Sequence, residues 1–139
     1  GHKRSLAENV SFLDGLTILV VDDNPLIHEI FKVYFQDLNV KLRRAMNGLE
    51  AVAQVKSEKP DLILMDLIMP EMDGFEATLM IKTQHPRLPV LALTAHSFPR
   101  ERHQAYKAGC DEIITKPIRK DILFLILKRH LAVAEGASK

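Results

Sequence analysis

The sequence predicts an α/β fold, in which five parallel strands form one doubly wound sheet with helices on both faces. Short apolar runs alternate five times with segments of helical spacing, which is typical of repeated strand-helix units. Three of the runs are apolar throughout, as expected for strands that helices cover on both faces. A chain of 139 residues is long enough for one hydrophobic core, so we expect one domain.

The five predicted strands cover residues 17–21, 41–44, 62–65, 90–93 and 112–115. The first from residue 18 onward, the third and the fourth of them are the fully apolar runs. The second contains Lys41, Arg43 and Arg44, and these charges favour a place at the edge of the sheet, where they discourage pairing with another chain.

The five predicted helices follow these strands in order. The first begins at Pro25, because proline suits the first helical position, and its apolar stripe comprises Leu26, Ile27, Ile30, Phe31, Tyr34, Phe35 and Leu38. The next three cover residues 49–56, 75–83 and 99–108, the last followed by Gly109 as a predicted C-cap. The fifth runs from about residue 119 to about residue 134.

Residues 16–131 are predicted as the folded domain, with residues 1–15 as an N-terminal tail or linker and 132–139 as a C-terminal tail. The 19 basic and 18 acidic residues leave a formal charge of +1, which does not favour a nucleic-acid partner. No apolar run of membrane-spanning length occurs, so we expect a cytoplasmic protein without direct membrane insertion. The single cysteine, Cys110, is expected to be buried and inert.

Polar residues stand where four of the apolar runs end. Asp22 and Asp23 follow the first run, Asp66 the third, Thr94 the fourth and Lys116 the fifth. In a parallel sheet these ends share one edge, so the five side chains should meet in one crevice. Carboxylates packed closely repel one another unless a hard cation lies between them, and oxygen ligands suit Mg²⁺. The pattern therefore predicts a metal-assisted phosphoryl acceptor.

Four segments carry a family resemblance. Residues 19–24 (LVVDDN), 65–74 (MDLIMPEMDG), 93–95 (LTA) and 114–117 (ITKP) resemble, in order, the signature segments of response-regulator receiver domains. The resemblance covers about residues 16–131. It implies a flavodoxin-like fold and a domain that takes a phosphoryl group from a phosphohistidine and stores it as an aspartyl phosphate. The implied partner is a sensor histidine kinase or a histidine phosphotransfer protein, and the wording of the motifs is most like the receiver of a hybrid sensor histidine kinase.

The resemblance also implies roles for the acidic residues. Asp66 matches the phosphorylated aspartate, Asp22 and Asp23 match the Mg²⁺ ligands, and the backbone carbonyl of Ile68 would be a further ligand. Two other acids compete for the role of Asp66. Asp61 begins its strand at the opposite edge and Asp73 precedes a glycine in a predicted turn, so neither is expected to reach the crevice.

Lys116 and Thr94 complete the implied catalytic set, as a positive charge and a hydroxyl donor to the phosphoryl group. The bond between Lys116 and Pro117 is expected to be cis. Thr94 would move inward on phosphorylation and shift the loop before the fourth helix. Many receivers couple this movement to an aromatic residue at the position of Ile113, so here we expect the loop and the fourth helix to carry the switch. Ile68 cannot orient an attacking water, which predicts a long-lived phosphoryl group.

Two functions of other classes remain as alternatives. A receiver-like interaction module that works without phosphorylation is disfavoured by the intact acidic set. A nucleotide-binding or phosphatase enzyme is disfavoured because the glycines are too sparse for a phosphate-binding loop. We therefore do not expect an enzyme that acts on external substrates, although the domain would catalyse its own phosphorylation and dephosphorylation, and the parent chain could be a histidine kinase.

The fifth helix is apolar on every side between Ile122 and Leu127. A stripe of Leu123, Leu127 and Leu131 would suffice for packing on the sheet. Phe124, Leu125 and Ile126 are left over, and we expect them to form an exposed patch for a homodimer or a docked partner.

Overall fold

The computed structural model describes residues 10–137, with side chains as far as residue 132. The strands are β1 (Leu16–Val21), β2 (Val40–Ala45), β3 (Leu62–Asp66), β4 (Val90–Thr94) and β5 (Glu112–Thr115). The α-helices are α1 (Pro25–Phe35), α2 (Gly48–Ser57), α3 (Gly74–Gln84), α4 (Pro99–Ala108) and α5 (Lys120–Ala137).

The strands form one sheet in the order β2-β1-β3-β4-β5, and every neighbouring pair is parallel. The predicted fold class is therefore confirmed, and the charged β2 lies at the edge as predicted. The chain adds β2 on one side of β1 and then crosses to add β3 on the other side. In doubly wound sheets a crevice opens at the carboxyl ends of the strands beside such a reversal.

Two layers of core cover the two faces of the sheet. One layer, against α2, α3 and α4, contains Val21, Met65 and Ala92 from the strands. The other layer, against α1 and α5, contains residues that alternate with these, such as Val20 and Leu64. Because successive residues of a strand point to opposite faces, a strand buried on both faces needs an unbroken apolar run.

Most of the predicted stripe of the first helix faces the sheet, but Leu26 does not. Phe31 and Phe35 are buried, and Ile27 and Tyr34 pack partly against them. Leu26, which the prediction included, is 62% exposed. The two buried phenylalanines, one turn apart, fix the orientation of the helix and leave Leu26 on its outer side.

Helix α4 is held to the sheet by little apolar contact. Among its described residues only Ala105 is buried. The helix begins after Phe98, whose side chain makes no capping hydrogen bond, with Pro99 in the first turn. It ends at the predicted C-cap, Gly109, in a left-handed conformation with φ of 112°.

The structure corrects the predicted N-terminal tail over residues 10–15. Ser11–Leu13 form a short 3-10 helix, and Leu13 is fully buried in the layer beside α1 and α5. The N–H of Gly15 donates to the carbonyl of Asn39 at 2.8 Å. Leu13, the partly buried Val10 and Phe12 that pack on the same layer, and this hydrogen bond attach the segment to the domain.

The predicted C-terminal tail is also corrected, because α5 continues through residue 137. The predicted helix ended near residue 134 and the predicted domain at residue 131. The last turns contain Ala132, Ala134 and Ala137, and alanine has the highest helix propensity of the amino acids.

The predicted exposed patch on the fifth helix is largely covered. Ile126 is 8% exposed and belongs to the buried layer, because it lies three residues after Leu123 on the same helix face. Phe124 packs on Phe35, with their ring centroids 5.2 Å apart. Only Leu125 of the three is well exposed, at 59%. The predicted homodimer surface is therefore reduced to one residue of the original three.

Candidate functional site

The carboxyl ends of four strands bring the predicted site residues together. Asp22 and Asp23 follow β1, Asp66 and Thr94 are the last residues of β3 and β4, and Lys116 follows β5. The register between β3 and β4 puts Thr94 one residue beyond the partner of Asp66. The N–H of Lys116 donates to the carbonyl of Thr94 at 2.7 Å, which attaches the lysine to this edge.

Three carboxylates form a compact acidic cluster. Oxygens of Asp22, Asp23 and Asp66 all lie within 4.8 Å of one another. Asp22 is fully buried and Asp66 is 7% exposed, whereas Asp23 is open to solvent. Hard oxygen donors at this spacing, with one side open to water, fit Mg²⁺, which keeps part of its hydration shell in proteins.

The ammonium group of Lys116 lies between two of these carboxylates. Its Nζ is 2.9 Å from Oδ2 of Asp22 and 3.5 Å from Oδ1 of Asp66. The other oxygen of Asp22 accepts the N–H of Asn24 at 2.9 Å. One lysine does not neutralise three carboxylates, so the cluster keeps a negative excess that a divalent cation would remove.

The surroundings of Asp66 change its acidity. Burial, reinforced by the charge of Asp22, raises the pKa of Asp66 from 3.8 to about 6, although Lys116 and the N–H of Ile68 act in the opposite direction. For Lys116 burial acts to lower the pKa, but the hydrogen bond to Asp22 and the charge of Asp66 outweigh it, and the net shift is upward. At pH 7 both groups are therefore mainly charged.

The raised pKa of Asp66 predicts the pH dependence of stability without metal. Below about pH 4 the carboxyl is protonated in the folded and the unfolded chain, so it has no effect. Between pH 4 and 6 the unfolded chain releases its proton first, and the free energy of unfolding falls as the pH rises. Asp66→Asn should therefore be more stable than the parent at pH 7 by about 1 to 3 kcal/mol, and equal to it near pH 4.

Urea unfolding in EDTA across this pH range measures the difference. Asp73→Asn is the matched control, because Asp73 caps α3 outside the crevice by accepting the N–H of Glu76, and asparagine caps equally well. A constant difference between Asp66→Asn and the parent at every pH would contradict the prediction.

The loop after Asp66 approaches the site through its backbone. The N–H of Ile68 hydrogen-bonds to the Asp66 carboxylate, while the Ile68 side chain is 70% exposed. Gly74, at the start of α3, donates its N–H to the carbonyl of Leu67 at 2.9 Å. A Cβ at Gly74 would lie 2.2 Å from the carbonyl oxygen of Asp66, so only glycine fits there.

The hydroxyl of Thr94 is already hydrogen-bonded. Its Oγ1 donates to the carbonyl of His96 at 2.7 Å and accepts the N–H of His96 at 3.2 Å. Thr94 is 6% exposed. Ile113, the second predicted switch residue, is partly buried and packs in the layer beside α2, α3 and α4.

The two competing acids lie outside the crevice, as predicted. Asp61 accepts the N–H of Thr17, the second residue of β1, at the opposite end of the sheet. Asp73 is the N-cap of α3. The bond between Lys116 and Pro117 is cis, as predicted. Cys110 is buried, and burial raises the pKa of its thiol to about 11.

His28, to which the sequence analysis assigned no role, contacts the backbone of the acidic cluster at Asp22. His28 is 4% exposed, and its Nε2 lies 2.8 Å from the carbonyl oxygen of Asp22. With the proton on Nε2, the ring donates to this carbonyl and fixes the backbone at the start of the acidic cluster. Its helical spacing could have predicted that His28 is buried, because it shares one helix face with Phe31 and Phe35.

A second hydrogen bond attaches the segment that follows Lys116. The hydroxyl of Tyr34 donates to the carbonyl of Ile118 at 2.6 Å. It joins α1, which follows the two aspartates, to the loop that follows Lys116.

A parallel five-stranded sheet with an acidic crevice and one lysine at its carboxyl edge defines a signalling domain of the receiver class. A model of the response regulator receiver domain matches residues 18–128. The chain belongs to this family.

Known proteins similar to the chain include long kinases and short regulators. Hybrid signal transduction histidine kinase B of Dictyostelium discoideum is 38% identical over 128 residues, which cover 82% of the chain but only 6% of the kinase. The polar-differentiation response regulator DivK of Brucella anthropi is 32% identical over 120 residues, covering 85% of the chain and 98% of DivK. The chain thus spans a small fraction of the kinase and nearly all of the regulator.

Among solved structures, the receiver domain of sensor histidine kinase PA1611 from Pseudomonas aeruginosa PAO1 has a TM-score of 0.79 and 32% identity. The match covers 85% of the chain and 98% of that domain. That structure has a magnesium ion coordinated in its active site cleft.

Proposed function

We propose that the chain accepts a phosphoryl group from a phosphohistidine onto Asp66 in a Mg²⁺-dependent reaction and thereby changes its protein contacts. The observation that carries the proposal is the cluster of Asp22, Asp23 and Asp66 within 4.8 Å, with Lys116 between two of its members. Membership of the receiver family supports it.

In the proposed step an oxygen of the Asp66 carboxylate attacks phosphorus, and the bond between phosphorus and the histidine nitrogen breaks. The imidazole leaves with the electron pair of that bond and takes up a proton as needed. Asp66 is mainly ionised at neutral pH because its pKa is about 6, so the nucleophile needs no separate base.

Lys116 and Thr94 contribute charge and a hydrogen bond. Lys116 is already 3.5 Å from Asp66, close enough for its ammonium to interact with phosphoryl oxygens on that carboxylate. The hydroxyl of Thr94 would donate to one of those oxygens after leaving His96. Phosphoryl transfer depends mainly on such positioning and charge stabilisation.

Asp22, Asp23 and Asp66, with the carbonyl of Ile68, would hold Mg²⁺. When bound, the ion would neutralise the crowded carboxylates and the incoming phosphoryl charge. The donor set supports this assignment because three carboxylates face one lysine.

The proposed donor is a sensor histidine kinase or a histidine phosphotransfer protein, in the cytoplasm. Similarity to a hybrid histidine kinase supports a receiver within such a kinase, and similarity to DivK supports a freestanding regulator. Within the described residues, no helix combines the length and apolar character needed to cross a membrane.

Intact-protein mass after incubation with acetyl phosphate or phosphoramidate tests the proposal. The chain should gain one phosphoryl group with Mg²⁺ and none with EDTA. Asp66→Asn should gain none, whereas Asp73→Asn should react like the parent, because Asp73 lies outside the crevice.

A mass gain that persists in Asp66→Asn would refute the assignment of the acceptor. No gain in the parent with either donor would favour the phosphorylation-independent interaction module. The same assay followed over time measures the lifetime: we propose a long one, because the exposed Ile68 side chain has no polar atom to orient water, and loss of the added mass within seconds would contradict this.

A further inference from the structure

The carboxylate of Asp23 is the least constrained member of the acidic cluster. Asp22 is fully buried and Asp66 nearly so, whereas Asp23 is exposed. Within the described residues, no hydrogen bond or ion pair holds the Asp23 side chain. One of its oxygens nevertheless lies within 4.8 Å of oxygens of both other aspartates. The backbone that carries Asp23 must therefore set the place of this side chain in the cluster.

That backbone includes the peptide group between Asp22 and Asp23. A peptide group is planar, so the direction of the Asp22 carbonyl also fixes the direction of the N–H and Cα of Asp23. The carbonyl oxygen lies 2.8 Å from Nε2 of His28 on α1. Rotation of this peptide group would break the contact and move the Asp23 carboxylate relative to the other two.

The rest of Asp22 is fixed by other groups. Its N–H donates to the carbonyl of Ala45 at 3.1 Å, one carboxylate oxygen accepts the N–H of Asn24 at 2.9 Å, and the other pairs with Lys116 at 2.9 Å. These contacts anchor the side chain and the N–H of Asp22 but not its carbonyl. Among the described residues, His28 makes the one hydrogen bond to this carbonyl.

The ring of His28 has a fixed position from which to orient the peptide group. His28 is 4% exposed and shares the buried face of α1 with Phe31 and Phe35. A carbonyl oxygen can only accept, so the contact at 2.8 Å requires the proton on Nε2. The buried ring therefore reaches the acidic cluster as a hydrogen-bond donor.

We propose that His28 is a positioning residue for the divalent cation, because it holds the peptide group between Asp22 and Asp23 and thereby keeps the Asp23 carboxylate beside the other two. This inference rests on the cation site of the proposed function. It gives His28 an effect on the affinity for Mg²⁺ that packing of α1 against the sheet would not produce.

Isothermal titration calorimetry with Mg²⁺ tests this role. His28→Met fills a similar volume without a donor, and it should bind Mg²⁺ about tenfold more weakly than the parent, as is typical when a group that orients a metal ligand is lost. His28→Gln keeps an N–H at a similar reach and should recover most of the affinity. Tyr34→Phe is the matched control, because it removes another hydrogen bond from α1 to a backbone carbonyl, that of Ile118, and should leave the affinity nearly unchanged.

A double-mutant cycle distinguishes positioning of Asp23 from a general loosening of the fold. If His28 acts through Asp23, its replacement matters only while the Asp23 carboxylate is present. The combination of His28→Met with Asp23→Asn should therefore bind Mg²⁺ no more weakly than Asp23→Asn alone. Urea unfolding in EDTA checks that every variant is folded under the conditions of the titration.

Four results would overturn the inference. They are an unchanged affinity in His28→Met, equal losses of affinity in His28→Met and His28→Gln, an equal loss in Tyr34→Phe, and a loss from His28→Met that is just as large when Asp23→Asn is present. In each of these cases the parent binds Mg²⁺, and the proposed function is unaffected. A parent chain that binds no Mg²⁺ would instead refute the metal site itself, and with it both the Mg²⁺ dependence of the proposed function and the role of His28.

Discussion

Replacing Gly74 by valine should lower the free energy of unfolding by about 3 kcal/mol or more, or prevent folding. A Cβ at this position would lie 2.2 Å from the carbonyl oxygen of Asp66 and 2.8 Å from Cα of Leu67. Both atoms belong to the backbone of the loop that follows β3, so no flexible side chain can move aside. The hydrogen bond from Gly74 to the Leu67 carbonyl would be lost as the helix and loop separate.

Urea unfolding at pH 7 measures this loss. Gly15→Asn is the matched control, because Gly15 has a positive φ of 80° but no atom within 4 Å of an added Cβ. Asparagine tolerates this backbone conformation, so the control should cost less than about 1 kcal/mol. A Gly74→Val variant as stable as the control would show that the loop and α3 can separate without loss.

Lys116→Met should destabilise the metal-free chain by about 2 to 4 kcal/mol at pH 7, and Mg²⁺ should restore much of the loss. The ammonium contacts the fully buried Asp22 and the nearly buried Asp66, so its removal leaves three carboxylates without a cation. The pKa of Asp66 should also rise further, because Lys116 acts to lower it. Phosphorylation should slow strongly, since a positive charge beside the acceptor is lost.

Lys82→Met is the control for Lys116→Met. Lys82 pairs with Asp111 at 2.7 Å outside the crevice, where no acidic cluster is present among the described residues. The difference in the free energy of unfolding between Lys82→Met and the parent should be the same in EDTA and in Mg²⁺. Urea unfolding of both variants in EDTA and in Mg²⁺ separates the two cases, and an equal response to Mg²⁺ would count against an acidic metal site at Lys116.

The fold was predictable where one physical requirement dominates the sequence. A strand buried on both faces needs an unbroken apolar run, and residues 62–65 supply one. The N-terminal segment was not predictable in this way, because Leu13 is its one buried residue and Val10 and Phe12 are only partly buried, which makes no unbroken apolar run. In α5 the apolar run covers every side of the helix, so the sequence does not show which residues face the sheet. The structure places Ile126 in the core.

The candidate site was predictable as a set of residues but not as a set of contacts. The strand ends and motifs predicted that Asp22, Asp66 and Lys116 lie close together, because parallel strands share their carboxyl edge. That Lys116 lies closer to Asp22 than to Asp66 depends on side-chain geometry. The support of Asp22 by His28 likewise depends on how α1 packs, which no local motif records.

If Asp66 is phosphorylated as proposed, the weak attachment of α4 would determine how much of the interaction energy of the phosphoryl group remains for signalling. A helix with several buried anchors would resist displacement, and most of the new interaction energy would be absorbed by deforming the core. Because α4 has Ala105 as its one buried side chain among the described residues, little of that energy would be consumed in this way. A phosphoryl group on Asp66 would therefore be expected to displace α4 more easily than the loop after Lys116, which the hydrogen bond from Tyr34 to Ile118 attaches to α1.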